Sequence, residues 1–234
     1  MKKTVIITGG SSGYGLAAAK AFKKAGYTVC IVARRKDALE KAKVESGADY
    51  IYPMDVTSYE AWQGLKAFAA EKLGNVDVLI NNAGGGIAIQ PIEKHTKQTI
   101  NDAIALNLTS AVYAANIFVP DMKKRKSGTI INVASVCATH AWADWSVYAS
   151  AKAGLRSLTK GLHCELQPYG VRTTCIIPAA ANTGFSAACN KEETPVSLRA
   201  EDIGNTMLFV AEMPDNAVVE EITVWGMSQI VQPL

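Results

Sequence analysis

Short apolar runs alternate with amphipathic stretches along the whole chain, and this alternation limits the fold more than any other feature. Strand-like runs fall near residues 3–8, 28–33, 49–53, 76–81, 128–134, 170–177 and 221–225. They read as near-continuous apolar segments, as strands covered on both faces do. Helical patterns fill the intervals, near 14–25, 36–46, 58–73, 97–124, 147–167 and 200–212. Such a rhythm predicts right-handed βαβ crossovers and a parallel sheet with helices on both faces. The expectation is an α/β, Rossmann-like, doubly wound sheet of about seven strands, in one domain over residues 1–234. Ligands of such sheets sit at the carboxyl ends of the strands.

Composition narrows the function classes. Hydrophobic residues make up 49% of the 234 and charged residues 19%, which is the balance of an ordinary globular chain. Apolar runs such as Val5–Ile7 and Val76–Ile80 are too short to cross a bilayer. The opening Met1-Lys2-Lys3-Thr4-Val5-Ile6-Ile7-Thr8 runs straight into glycines and reads as the first strand, not as a secretion signal. The net charge is +3, and the basic residues cluster only at Lys123-Lys124-Arg125-Lys126. That cluster falls where a helix should end, so it reads as a solvated helix terminus and not as a nucleic-acid patch. The five cysteines are scattered without a C-x-x-C pair, which suggests neither a disulfide framework nor a zinc site. A cytoplasmic protein with no metal, membrane or nucleic-acid partner is expected.

The first strand ends in Thr8-Gly9-Gly10-Ser11-Ser12-Gly13-Tyr14-Gly15, and a helical pattern follows at once. Glycines are needed where backbone turns tightly and lets a pyrophosphate approach, and a helix N-terminus then offers its N–H groups to the phosphates. A plain glycine–serine turn is the alternative, but the position after the first strand favours a nucleotide site.

The spacing Thr-Gly-x-x-x-Gly-x-Gly differs from the common dinucleotide fingerprint and resembles that of the short-chain dehydrogenase/reductase family. Further motifs follow in order. Asp55-Val56 comes after the third strand, Asn81-Asn82-Ala83-Gly84 after the fourth, Asn107 lies in the long helix, and Ser135 follows the fifth strand. Tyr148-Ala149-Ser150-Ala151-Lys152 begins thirteen residues after that serine. The resemblance covers nearly the whole chain. It implies that Gly9, Ser11, Ser12, Gly13, Tyr14 and Gly15 line the pyrophosphate and ribose, that Asp55 and Val56 meet the adenine, and that Asn82, Ala83 and Gly84 pack along the cofactor. Asn81 reads equally well as a strand-end cap.

The second strand ends in Arg34-Arg35 where an NAD site would carry a carboxylate for the ribose hydroxyl. Two guanidinium groups suit a 2′-phosphate, so NADP(H) is the expected cofactor. Asp37 reads as a helix N-cap.

Tyr148 and Lys152 are four residues apart and share a helix face. Phenol ionises near pH 10, and a neighbouring ammonium lowers that value. The resemblance implies that Tyr148 moves the proton, that Lys152 depresses the tyrosine pKa and bonds the nicotinamide ribose, and that Ser135 orients the reacting oxygen. It also implies that Asn107 kinks its helix and holds a water beside Lys152. Ser135, His140 and Asp144 lack the sequence context of a hydrolase triad. His95 and His163 read as packing residues, and Cys137 has no chemical task in hydride transfer.

After the sixth strand, Pro178 is followed by Ala179 where the family carries glycine, which puts the backbone beside the nicotinamide in question. Pro178 and Thr183 are expected at the cofactor, and Trp142, Trp145 and Phe185 at an apolar substrate wall beside Ser135 and Tyr148. Arg199 and Lys191 are the basic residues near that segment that a substrate carboxylate would need. The stretch from Glu201 to Trp225 resembles the NADP-dependent serine and 3-hydroxy acid dehydrogenases of the family. The expected reaction is hydride transfer between NADP(H) and a small alcohol/carbonyl pair. The alternatives are a reductase of bulkier ketones or steroid-like substrates, and a non-catalytic NADP(H) sensor. The family resemblance further implies a homodimer or homotetramer, built on apolar residues that include Ala111, Val112, Ala115, Ile117, Leu155, Leu158 and Leu162.

Overall fold

The five inner strands of the sheet are buried on both faces, the two edge strands only partly, and the side chains divide between two cores. In the computed structural model, which describes residues 2–181, 183 and 197–229, strand β1 (Thr4–Thr8) shows the principle. Val5 and Ile7 join one apolar cluster while Ile6 joins the other. Successive strand side chains point to opposite faces, so a strand covered by helices on both sides needs apolar residues at every position.

The strands are β1, β2 (Thr28–Ala33), β3 (Tyr50–Pro53), β4 (Val78–Asn81), β5 (Gly128–Val133), β6 (Val171–Pro178) and β7 (Glu221–Val224). All neighbours pair in parallel, in the order β3-β2-β1-β4-β5-β6-β7. Helices α1 (Gly13–Lys24), α2 (Lys36–Ser46) and α7 (Ala200–Ala211) cover one face through Phe22, Leu39, Ile203 and Met207. Helices α3 (Tyr59–Lys72), α5 (Ser110–Arg125) and α6 (Ser146–Leu166) cover the other through Trp62, Leu65, Phe118 and Leu162. Chain order reverses between β1 and β4, which opens a crevice beyond their carboxyl ends. This is the expected doubly wound fold. Helices α1 and α7 touch closely because a Cβ on Gly204 would lie 2.7 Å from the Ala17 carbonyl carbon.

The expected helix over 97–124 is divided into α4 (Lys97–Ile104), a π-turn (Ala105–Thr109) and α5. Asn107 causes the break. Its amide nitrogen donates to Ala103 O at 3.0 Å and to Gly85 O at 2.9 Å, and its amide oxygen accepts from Gly85 N at 3.1 Å. A side chain bonded to the carbonyl four residues back competes with the helix's own ladder, so one residue bulges out. Asn107 thereby interrupts the α-helical ladder, with its amide bonded to the loop after β4.

The run 97–125 as a whole is long and apolar enough to span a membrane by length and composition alone, which counting uninterrupted apolar residues missed. Its apolar composition follows from core packing, since Ala103, Ala111, Ala114, Ile117, Phe118 and Met122 are all buried. The same packing takes up most of the residues named for an assembly face. Ala111, Ala115, Ile117, Leu155 and Leu162 are buried within this chain, and only Val112 of that set is exposed. In the basic cluster, Arg125 donates to Val76 O at 2.8 Å and Lys123 lies 4.4 Å above the Tyr169 ring. Among the described residues the four cysteines are free thiols.

Candidate active site

At the switch point the ends of β1 and β4 are knitted together by Thr8. Its hydroxyl donates to Ile80 O at 3.1 Å and accepts from the N–H groups of Asn82 and Ala83, each at 3.0 Å. Asn82 Nδ2 donates back to Thr8 O at 2.8 Å. The chain then turns through Gly9, with φ 66°, and Gly13, with φ 51°, into α1. These left-handed conformations favour glycine. Ser12 is the N-cap of α1 but makes no side-chain cap, so no side chain takes up the first-turn N–H groups. Gly15 does not line the cleft as expected. It is required for packing, because a Cβ there would sit 2.2 Å from Gly9 O.

This turn lines a cleft of about 720 Å³ through Gly9, Ser11, Ser12, Gly13 and Tyr14. Arg34, Arg35 and Val56 line the same cleft, as do Asn82, Ala83, Gly84, Tyr148, Lys152 and Thr183. A smaller hollow of about 420 Å³ between α3 and α5 lies at the amino end of the strands, where Lys66 and Asp121 pair at 3.1 Å.

Near Arg34, Asp55 is turned away and does not line the cleft. Its carboxylate accepts from Thr57 N at 2.9 Å and Thr57 Oγ1 at 2.7 Å. Partial burial pushes this carboxyl up, but the Thr57 bonds and the nearby Arg34 charge outweigh it and hold the group below its ordinary value. Asp37 is not the N-cap of α2. Arg35 takes that place, and Asp37 lies in the first turn, where a carboxylate favours the helix dipole.

Tyr148 and Lys152 stand one turn apart on α6 with Lys152 Nζ 5.8 Å from the Tyr148 ring centroid. Both are buried, at 7% and 3% exposure. Lys152 Nζ donates to Val133 O at 2.8 Å. Burial lowers the Lys152 pKa to about 8. Gly84 closes over this group, since a Cβ there would fall 2.9 Å from Asn107 Oδ1 and 3.0 Å from Lys152 Nζ. Asn107 thus lies behind the cleft wall and not in it.

Ser135 caps the short 3₁₀ turn Val136–Ala138, its Oγ accepting from Cys137 N at 3.2 Å. It is half-buried and does not itself line the cleft, although the preceding Val133 and Ala134 do. Tyr148 packs with Ile89, Cys137 and Trp145, and the Tyr148 and Trp145 rings meet edge to face at 5.6 Å. Burial is the largest influence on Cys137 and raises its thiol pKa.

Trp142 departs from its expected place at the substrate. It is 36% exposed and stacks on His140 at 5.9 Å, and the edge of His140 in turn meets Trp225 at 5.4 Å. His140 Nδ1 lies 2.9 Å from Thr139 Oγ1. Arg199 caps α7 and is ion-paired with Asp202 at 2.9 Å, outside the cleft lining. Pro178 is the last residue of β6, buried and paired with Val224, and does not line the cleft either. Asn81 donates to Asn132 at 2.8 Å inside the sheet. His95 meets Thr99 at 3.4 Å, and His163 Nδ1 is buried without a hydrogen-bond partner. Among the described residues no three His, Cys, Asp or Glu side chains group as metal ligands. Phe185 and Lys191 lie outside the described residues.

The sequence matches the model of the short chain dehydrogenases over residues 3–194. The chain belongs to that family. It is similar to an uncharacterized oxidoreductase of Staphylococcus aureus (strain N315), at 30% identity over 224 residues, covering 95% of this chain and 96% of that one. Among solved structures it resembles the closed form of a serine dehydrogenase complexed with NADP⁺, with 27% identity, a TM-score of 0.92 and coverage of 99% of this chain and 98% of that one. It also resembles an alcohol dehydrogenase from the archaeon Thermococcus sibiricus complexed with 5-hydroxy-NADP, at 26% identity and TM-score 0.90 with both chains fully covered. This short-chain dehydrogenase is therefore an oxidoreductase with serine dehydrogenase-like relatives.

Sequence reasoning missed several lining residues: Ala33, Met54, Gly85, Leu106, Val133 and Ala134. Ala33 and Val133 are the last residues of β2 and β5, and Met54 and Ala134 follow β3 and β5 directly. Counting strand ends toward the switch point would have found these four. Leu106 enters through the π-turn, which no local pattern signals.

Proposed function

We propose that this short-chain dehydrogenase transfers hydride between NADP(H) and a small alcohol/carbonyl pair, with a short 3-hydroxy acid as the first candidate substrate. One observation carries the reading: a buried Tyr148–Lys152 pair shares a single cleft with the glycine turn and with Arg34 and Arg35. The residues present fit NADP(H). The turn at Gly9 and Gly13 leaves room for a pyrophosphate against the start of α1, and two guanidinium groups stand where a 2′-phosphate would need them. Tyr148 and Lys152 line the same cleft, as does Thr183. When bound, the nicotinamide supplies or accepts the hydride.

The chain's own residues handle the proton and the orientation. The Tyr148 hydroxyl gives its proton to the carbonyl oxygen in reduction and takes it from the alcohol in oxidation. Lys152 keeps most of its charge at neutral pH, because its pKa near 8 still lies above that range. That ammonium favours the phenolate. Ser135 Oγ orients the substrate oxygen. Asn107 holds the Gly84–Gly85 backbone against Lys152 through its three bonds. The likeness to serine dehydrogenase supports a small hydroxy acid, and reduced free thiols support a cytoplasmic setting.

The test is a turnover panel with NADPH and NADP⁺ over small aldehydes, ketones, 3-oxo acids and 3-hydroxy acids. Preference for a small member supports the proposal. NADPH binding with no turnover on any member would leave a nucleotide sensor instead.

A further inference from the structure

The turn that leaves β6 is gripped from three sides by elements far away in sequence. Ala179 N donates to Val224 O at 2.9 Å, extending the pairing with β7 by one residue. Ala179 O accepts from the Tyr14 hydroxyl at 3.1 Å, a contact across 165 residues from the first turn of α1. Gln229, with its amide nitrogen toward Ala180, donates to Ala180 O at 3.1 Å and accepts from Ala180 N at 3.3 Å. The backbone polar groups of these two alanines are thus held by one strand carbonyl, one phenol and one carboxamide. Four residues beyond Ala179, Thr183 packs on the glycine turn, where a Cβ on Gly13 would meet Thr183 Cβ at 3.2 Å. Thr183 lines the cleft together with Tyr14 and Lys152.

We propose that Tyr14 and Gln229 are positioning residues that fix the Ala179–Ala180 turn and, through it, hold Thr183 in place where it lines the cofactor cleft. The inference rests on the NADP(H) reading above. Alanine at 179 lacks the conformational freedom of glycine, so this turn takes its shape from outside contacts. Two of the three contacts come from single side chains, Tyr14 and Gln229, whose removal would let the backbone drift. The Tyr14 phenol is well suited to its task. It is surrounded by the core that α1, β6 and α7 share, and burial raises its pKa, so it stays a neutral donor throughout the working range. The ring does a second task, packing the start of α1, and this is independent of the hydroxyl.

The two tasks separate in Tyr14→Phe, which keeps the ring and removes the donor. Gln229→Met keeps the length of the side chain and removes both of its bonds. Binding of NADPH and of 2′,5′-ADP is measured by fluorescence and calorimetry for each variant, alongside kcat. The adenosine fragment reaches only the arginines, and NADPH spans the cleft. The expected result is a loss of NADPH affinity of roughly 3- to 10-fold for Tyr14→Phe, as befits one hydrogen bond, and at least as large a loss for Gln229→Met, which removes two. Affinity for 2′,5′-ADP should not change, and kcat should fall by a similar factor. Unchanged NADPH affinity and kcat in both variants would overturn the proposal. So would an equal loss for both probes, which would mean that Tyr14 only supports the phosphate turn. Failure of the cofactor reading itself would look different, as wild-type protein binding neither probe, and that result would remove both proposals.

Discussion

Lys152 Nζ donates to the carbonyl of Val133, the last residue of β5, while lying 5.8 Å from the ring of Tyr148. The amine is thus anchored to the sheet from the helix that carries the tyrosine. Its burial has a thermodynamic consequence. The pKa falls from an ordinary 10.5 to about 8, so below pH 8 the charge is buried at a cost that vanishes above 10.5, where the amine is neutral folded and unfolded. Apo wild-type protein should gain on the order of 3 kcal/mol of stability from this group between pH 8 and 10.5. Lys152→Met should lack that gain. Urea unfolding of both proteins at pH 7.5 and pH 10 checks it, and parallel profiles would refute the burial argument.

Tyr148→Phe removes one hydroxyl from a ring already packed against Ile89, Cys137 and Trp145. Turnover should fall by ~10²–10⁴-fold, the usual contribution of a proton-transfer group, while NADPH affinity stays within a small factor. Steady-state rates beside a fluorescence titration make the comparison. A variant that keeps most of its activity would remove Tyr148 from the chemistry.

Arg34→Asp places a carboxylate in the cleft where two guanidinium groups now stand. Loss of a charge-assisted contact should weaken NADPH binding roughly 10- to 100-fold. NADH use should improve, because the carboxylate can accept from a ribose hydroxyl. The ratio of kcat/KM for the two cofactors is the readout. A wild-type enzyme that already prefers NADH would contradict the role given to the arginines.

Gly15→Ala should damage the fold although Gly15 does not itself line the cleft. The added Cβ would press on Gly9 O at 2.2 Å, and the obstacle is backbone, which cannot step aside as a side chain can. A loss of at least about 1–3 kcal/mol is expected, the range for overpacking in a dense core. A melting temperature equal to that of wild type would show that the turn yields more easily than its packing implies.

Much of this protein can be read from local pattern. Apolar runs without alternation announced strands covered on both faces, and Val5, Ile6 and Ile7 divide between the two cores as that reading requires. The glycine turn, the arginine pair and the Tyr148–Lys152 spacing were legible too, because backbone conformation, charge and helix periodicity are local properties. The fourteen predicted residues that line the cleft lie in the segments that follow strand ends, in the first turn of α1, or on the face of α6 that meets them. Chain order alone placed them there.

Other features depend on neighbours that the chain brings together from far apart. Local periodicity marks Ile117 and Leu162 as apolar but cannot say whether they meet this chain's core or a second copy, and the packing of α3 against α5 and α6 decided for the core. Trp142 found His140, and Arg199 found Asp202, and these contacts drew both away from the cleft. Asn107 broke its helix because Gly85 stood within reach of its amide. Tyr14 closed on Ala179 across 165 residues. Periodicity and motif spacing report which face of an element is apolar and which backbone conformations are needed. They carry no record of which distant hydrogen-bonding groups will meet once the sheet assembles, so those pairings belonged to the tertiary structure alone.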